Sequence, residues 1–238
     1  MRAVLFDLGD TLICPAGPWD PVIARACAAL SETLCQRGIP LDCDSFSSEF
    51  ATALRAYYAH RETSLEEPTT FRMLRDLLAT KGYPAGDDDV RAALDALYAT
   101  TRSNWHAAED ALPALRALRE RGLPLGLLSN AGDDEDVHIL AHEAGVTPFL
   151  DFIVTSAQIG FRKPDLRTFR AALAHWNFSP GDVAMIGDRL DADVAGGKSA
   201  GLFTVWITLN PLDLRPDAPQ PDLTISSLNQ LPALLADH

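Results

Sequence analysis

The chain has 238 residues, 47% of them hydrophobic, with 33 acidic against 20 basic side chains and a formal net charge of −13. This is enough apolar material for one large domain or a core with a smaller insert, and the acidic balance argues against a surface that coats nucleic-acid phosphates. No run approaches the roughly 18 consecutive apolar residues of a membrane span. The apolar stretch AVLF is too short for a signal-peptide core, so the cytoplasm is the expected location and no membrane partner is expected.

Residues 2–7, RAVLFD, form a short apolar run that ends in a charge and predict a buried strand. From Trp19 to about Arg102 apolar residues recur at helical spacing, in PVIARACAALSETLCQRG, SSEFATALRAYYAH, EPTTFRMLRDLLATKG and DDDVRAALDALYATT. Turn residues such as Gly38-Ile39-Pro40 and Gly82-Tyr83-Pro84 punctuate them. No strand is expected in this block, which reads as a helical unit inserted after the first strand. After residue 105 the pattern alternates. Strands are predicted at PLGLLSN, FIVTS, DVAMIGD and FTVWI, with helices at EDALPALRALRERG, DDEDVHILAHEAG, DLRTFRAALAHW and DADVAGGKSAG between them. Strands separated by crossover helices imply a parallel, three-layer, Rossmann-like α/β core. LNPLDLRPDAPQP reads as loop, and PDLTISSLNQLPALLADH as a short strand and a terminal helix. The expected division is a core of residues 1–13 and 104–238 and a helical domain of residues 14–103.

Ligands of open parallel sheets bind beyond the carboxyl ends of the strands. Those ends carry Asp7 with Asp10 and Thr11, Ser129 with Asn130, Ser156, and Asp188. Two carboxylate groups, Asp7 with Asp10 and Asp188 with Asp191 and Asp193, would repel one another in one crevice unless a cation joined them. Oxygen donors of this kind suit a hard cation such as Mg²⁺. Lys163, in FRKPDLRTF before a helix expected to open at Pro164, is placed to neutralise a phosphoryl oxygen together with a carboxylate. Ser129 offers a hydroxyl and an amide to the same group.

In this order, D-x-x-D-T, LLSN, RKPD and GD-x-x-x-x-D resemble the four motifs of the haloacid dehalogenase-like (HAD) hydrolases over essentially the whole chain. The helical insert between the first two motifs resembles the cap of subfamily I. The resemblance implies that Asp7 is a nucleophile forming an aspartyl-phosphate. It implies that Asp7, Asp188, Asp193 and the Gly9 carbonyl hold Mg²⁺, and that Ser129, Asn130, Thr11 and Lys163 bind the phosphoryl group. The implied partner is a small phosphorylated metabolite, and the implied assembly a monomer or a homodimer.

One position departs from the family pattern. Phosphatases of the family usually carry aspartate at the position of Gly9, where it protonates the leaving oxygen and later activates water. Glycine keeps the carbonyl and loses that group, which typically contributes about 10²–10⁴-fold. Three accounts follow: Asp10 takes over, the glycine letting the loop re-aim it; water or substrate supplies the proton; or the chemistry is 2-haloacid dehalogenation, whose halide leaves without one. A catalytically impaired metal- or anion-binding protein is the non-enzymatic alternative.

Other features have plainer readings. His138 and His142 lie four apart on an expected helix without a third ligand, and the acidic runs 87–89 and 133–136 precede helices and suit their dipoles. The four cysteines, Cys14, Cys27, Cys35 and Cys43, contain no C-x-x-C pair and are expected as free thiols.

Overall fold

The computed structural model describes residues 1–61, 63–208 and 216–236, and most of the expected proline-rich loop lies outside them. The chain divides into two compact units, Met1–Cys14 with Ala107–His238 and Pro15–His106. No helix among the described residues is long and apolar enough to cross a membrane.

The first unit is built on six strands: β1 (Ala3–Phe6), β4 (Leu125–Ser129), β5 (Phe152–Thr155), β6 (Val183–Gly187), β7 (Phe203–Ile207) and β8 (Leu223–Ile225). Their order is β5-β4-β1-β6-β7-β8, and every pair is parallel. The three central strands are buried along their whole length, which is why they read as unbroken apolar runs. The chain leaves β1 for β4 and β5 on one side, then returns to β6 on the other. This reversal places the crevice at the carboxyl ends of β1, β4 and β6. Among the described residues, six α-helices belong to this unit: α5 (Ala111–Glu120), α6 (Asp134–Glu143), α7 (Ser156–Ile159), α8 (Leu166–Leu173), α9 (Ala195–Ala200) and α10 (Leu231–Leu234). Asp133 caps α6 by accepting from the Asp136 amide at 3.0 Å, so this acidic run does serve a helix start.

Two expectations need correction here. Lys163 precedes α8 as expected, but Pro164 precedes it too rather than opening it, because Asp165 caps the helix by accepting from the Arg167 amide at 2.8 Å. The single helix expected over residues 191–201 is a π-helical turn, Leu190–Val194, followed by α9.

The second unit contains α1 (Trp19–Gln36), α2 (Cys43–Arg61), α3 (Thr70–Thr80) and α4 (Asp87–Arg102). Leu30, Leu34, Phe46, Phe50, Leu74 and Leu94 meet in its core, and each such side chain contributes about 1.5–3 kcal/mol by burial. Tyr57 belongs to this core, whereas Tyr58 is exposed. All three residues of the 87–89 run lie in the first turn of α4, where Asp89 also accepts from the Gly86 amide at 2.9 Å. The short strands β2 (Ile13–Pro15) and β3 (Trp105–Ala107) mark where the chain passes between the units. The expectation of four free thiols is overturned. Cys35 and Cys43 form a disulfide, because the turn at Gly38 brings the end of α1 beside the start of α2 with 6.4 Å between the Cα atoms. Cys14 and Cys27 remain free.

Candidate active site

Asp7 is the first residue beyond β1, and its amide donates to the Ile186 carbonyl at 2.9 Å, extending the β1–β6 ladder by one residue. The chain then turns tightly. The Leu8 carbonyl accepts from the amides of Leu12 at 2.8 Å and Ile13 at 3.0 Å. Among the described residues, Asp10 is the one non-glycine with positive φ, at 55°, while Gly9 does not use that region. The loop thus places its left-handed residue at position 10 although the glycine stands at position 9. A side chain with Cβ is disfavoured there, and aspartate is one of the few that tolerate it.

Lys163 is buried and holds three oxygens at once. Its Nζ lies 2.6 Å from Asp7 Oδ1 and 2.7 Å from Asp193 Oδ1, and donates to the Leu128 carbonyl at 2.8 Å. Burial acts to lower the ammonium's pKa, but the carboxylates of Asp193 and Asp7 outweigh it and hold it above the usual range. Asp193 also accepts from the Arg189 amide at 3.0 Å through Oδ2. Gly187 is required beside it, since a Cβ there would stand 2.2 Å from that same oxygen.

Asp7, Asp188 and Asp193 each bring a carboxylate oxygen within 4.8 Å of the others. Burial first, and then the charges of Asp7, Asp193 and Asp10, push Asp188 up to about 8. Burial pushes Asp193 up to about 6; Lys163 opposes it and keeps this carboxyl the lower of the two. Three carboxyls with oxygens this close together form an oxygen donor set that fits a hard divalent cation. Asp10 is exposed as a residue, yet partial burial of its carboxyl raises its pKa, and its charge acts on Asp188.

The remaining residues divide by what they touch. Ser129 ends β4 and is buried beside these groups in the strand order. Thr11 is buried, and its Oγ1 has no hydrogen-bond partner among the described residues. Asn130 spends its amide on the backbone: Oδ1 accepts from the Lys163 amide at 2.8 Å, and Nδ2 donates to the Lys163 carbonyl at 3.1 Å. It therefore clamps the lysine's main chain. Ser156 is likewise occupied, accepting from the Ala131 amide at 2.8 Å and donating to its carbonyl at 3.2 Å. Sequence reasoning missed the Leu128 carbonyl and Gly187. A glycine directly before Asp188 was the visible signal for the second; nothing in the sequence marks a strand carbonyl as a lysine acceptor.

A family model for haloacid dehalogenase-like hydrolases matches residues 1–201. The chain belongs to this family. It is 31% identical over 166 residues to a phosphoserine phosphatase of Thermus thermophilus, a match spanning 69% of this chain and 64% of that protein. It is 30% identical over 206 residues to a ribulose-1,5-bisphosphate 5-phosphatase of Halopiger xanaduensis, covering 85% of this chain and 83% of the relative. Among solved structures, a 2-haloacid dehalogenase of Pseudomonas syringae pv. tomato superposes with a TM-score of 0.70 at 24% identity, over 100% of this chain and 99% of that one. At that identity the likeness speaks for the HAD fold alone.

Proposed function

We propose that this HAD-like hydrolase is a Mg²⁺-dependent phosphatase of a small phosphorylated metabolite, working through an aspartyl-phosphate on Asp7. The observation that carries the reading is Lys163 bridging Asp7 and Asp193, with Asp188 completing the carboxylate cluster. The phosphatase relatives support the choice of substrate class.

The Asp7 carboxylate attacks phosphorus, the bond to the leaving oxygen breaks, and the phosphoryl group passes to Asp7. Lys163 neutralises charge on the nucleophile and on the phosphoryl oxygens, and Ser129 and Thr11 donate hydrogen bonds to those oxygens. Asn130 acts by holding Lys163. Asp7, Asp188, Asp193 and the Gly9 carbonyl would hold Mg²⁺, which would supply further neutralisation of phosphoryl charge. The leaving oxygen takes its proton from water, because Gly9 has no carboxyl and Asp10 is set in the left-handed conformation one residue on. A second water then attacks phosphorus and frees phosphate from Asp7. The helical insert, Pro15–His106, serves as the cap that selects the substrate.

A panel of phosphorylated metabolites assayed with and without Mg²⁺ tests this reading. The expected result is Mg²⁺-dependent phosphate release that Asp7→Asn abolishes. Release that ignores the Asp7 change overturns the nucleophile. Metal-independent halide release from 2-chloropropionate, with no phosphate released from any ester, shows a dehalogenase instead.

A further inference from the structure

Trp206 ends the buried part of β7, in parallel register with Gly187, the residue before Asp188. We infer that Trp206 is a positioning residue for the acidic loop, its indole N–H fixing the peptide that carries Asp188 and thereby setting how tightly the carboxylates hold a divalent cation. This inference rests on the metal-centre reading above and adds to it a residue from outside the four motifs.

The geometry is specific. Trp206 is 4% exposed, and its Nε1 donates to the Asp188 carbonyl at 2.7 Å. On the other face of the same peptide link, the Arg189 amide donates to Asp193 Oδ2 at 3.0 Å. The link between Asp188 and Arg189 is therefore pinned by both its carbonyl and its N–H. With that plane fixed and the preceding Gly187 paired with Trp206 in the sheet, the backbone is held on both sides of Asp188, which restricts the direction in which its side chain leaves. Fixing matters because the Asp188 carboxyl is brought within 4.8 Å of those of Asp7 and Asp193. Lys163 already joins Asp7 to Asp193, whereas an Asp188 carboxylate is repelled by both until a cation joins it to them, so a loosely held Asp188 would turn toward water. Partners of this kind, which orient a ligand without touching the metal, typically alter affinity by about 10–100-fold. Phenylalanine at this position keeps most of the ring and removes the one donor.

Calorimetric titration of the full chain with MgCl₂ tests the assignment, using Trp206→Phe beside Trp176→Phe as the control. Trp206→Phe is expected to bind Mg²⁺ about 10-fold or more weakly, with hydrolysis restored at saturating Mg²⁺, whereas Trp176→Phe matches the wild type. Wild-type affinity in Trp206→Phe overturns the inference, including the case where only its melting temperature falls. Absence of Mg²⁺ binding by the wild type overturns the metal-centre reading and the Trp206 role with it, so the two failures are told apart. If Trp206→Phe does not fold, the indole N–H spectrum of the wild type decides. The chain has 4 tryptophans, and replacing the other three one at a time assigns the Trp206 signal by elimination. Mg²⁺ should shift that signal selectively; a signal that stays in place while Mg²⁺ binds overturns the inference.

Discussion

Position 10 combines a left-handed backbone with a carboxyl whose charge acts on Asp188. Asp10 occupies φ 55°, so Asp10→Gly removes a left-handed cost of roughly 1–2 kcal/mol and adds about 0.4–1 kcal/mol of unfolded-chain entropy, which leaves an expected net stabilisation of up to about 1 kcal/mol in urea unfolding. On the proposal that water protonates the leaving oxygen, Asp10→Asn should leave the dependence of rate on leaving-group pKa unchanged. The double change Gly9→Asp with Asp10→Gly should instead flatten that dependence and raise kcat/KM for alkyl phosphates by about 10²-fold or more. A slope that steepens in Asp10→Asn would mean that Asp10 is the acid. Asp7 and the acidic cluster were legible as residue types at strand ends, and Lys163 as a lysine just before a helix. The conformation of Asp10 was not: a glycine at position 9 suggested that the freedom lay there, whereas the turn around the Leu8 carbonyl imposes the left-handed residue one place later.

Among the elements, the packing of α9 against the segment carrying Lys163 leaves no room for a side chain at Gly196. A Cβ on Gly196 would stand 2.3 Å from the Phe169 ring and 2.9 Å from the Pro164 Cα, which is backbone and cannot swing aside. Gly196→Ala is therefore expected to cost about 1–3 kcal/mol in urea unfolding and to slow hydrolysis by displacing Lys163. Unchanged stability and rate would show that α9 shifts freely. The buried strands were readable because both faces of a parallel sheet are covered and the sequence is apolar throughout. Three-residue β2 and β3 carry too little pattern to be read. The π-helical turn escaped for a different reason: it satisfies tertiary demands, returning Asp193 to the Arg189 amide and to Lys163, and no local periodicity announces that. The Cys35–Cys43 bond likewise depends on the turn between α1 and α2, not on a cysteine motif.

For the whole molecule, the acidic cluster links stability to pH and to metal. Asp188 is raised from 3.8 to about 8 and Asp193 from 3.8 to about 6, so without metal the folded chain binds protons that the unfolded chain has released. Folded protons in excess make stability fall as pH rises between those values, most of the loss being complete near pH 8. Thermal melts in EDTA should show this decline. Mg²⁺ competes with those protons, so the increase in melting temperature on adding Mg²⁺ should grow as pH rises toward 8. An increase independent of pH would contradict the cluster as the metal site.

The most direct test of the account is mass spectrometry of the chain, quenched in acid during turnover of a good phosphorylated substrate and digested. One phosphoryl group is expected on the peptide containing Asp7, absent in Asp7→Asn and absent without Mg²⁺. Turnover with no phosphoryl group on that peptide, together with undiminished phosphate release by Asp7→Asn, would contradict it.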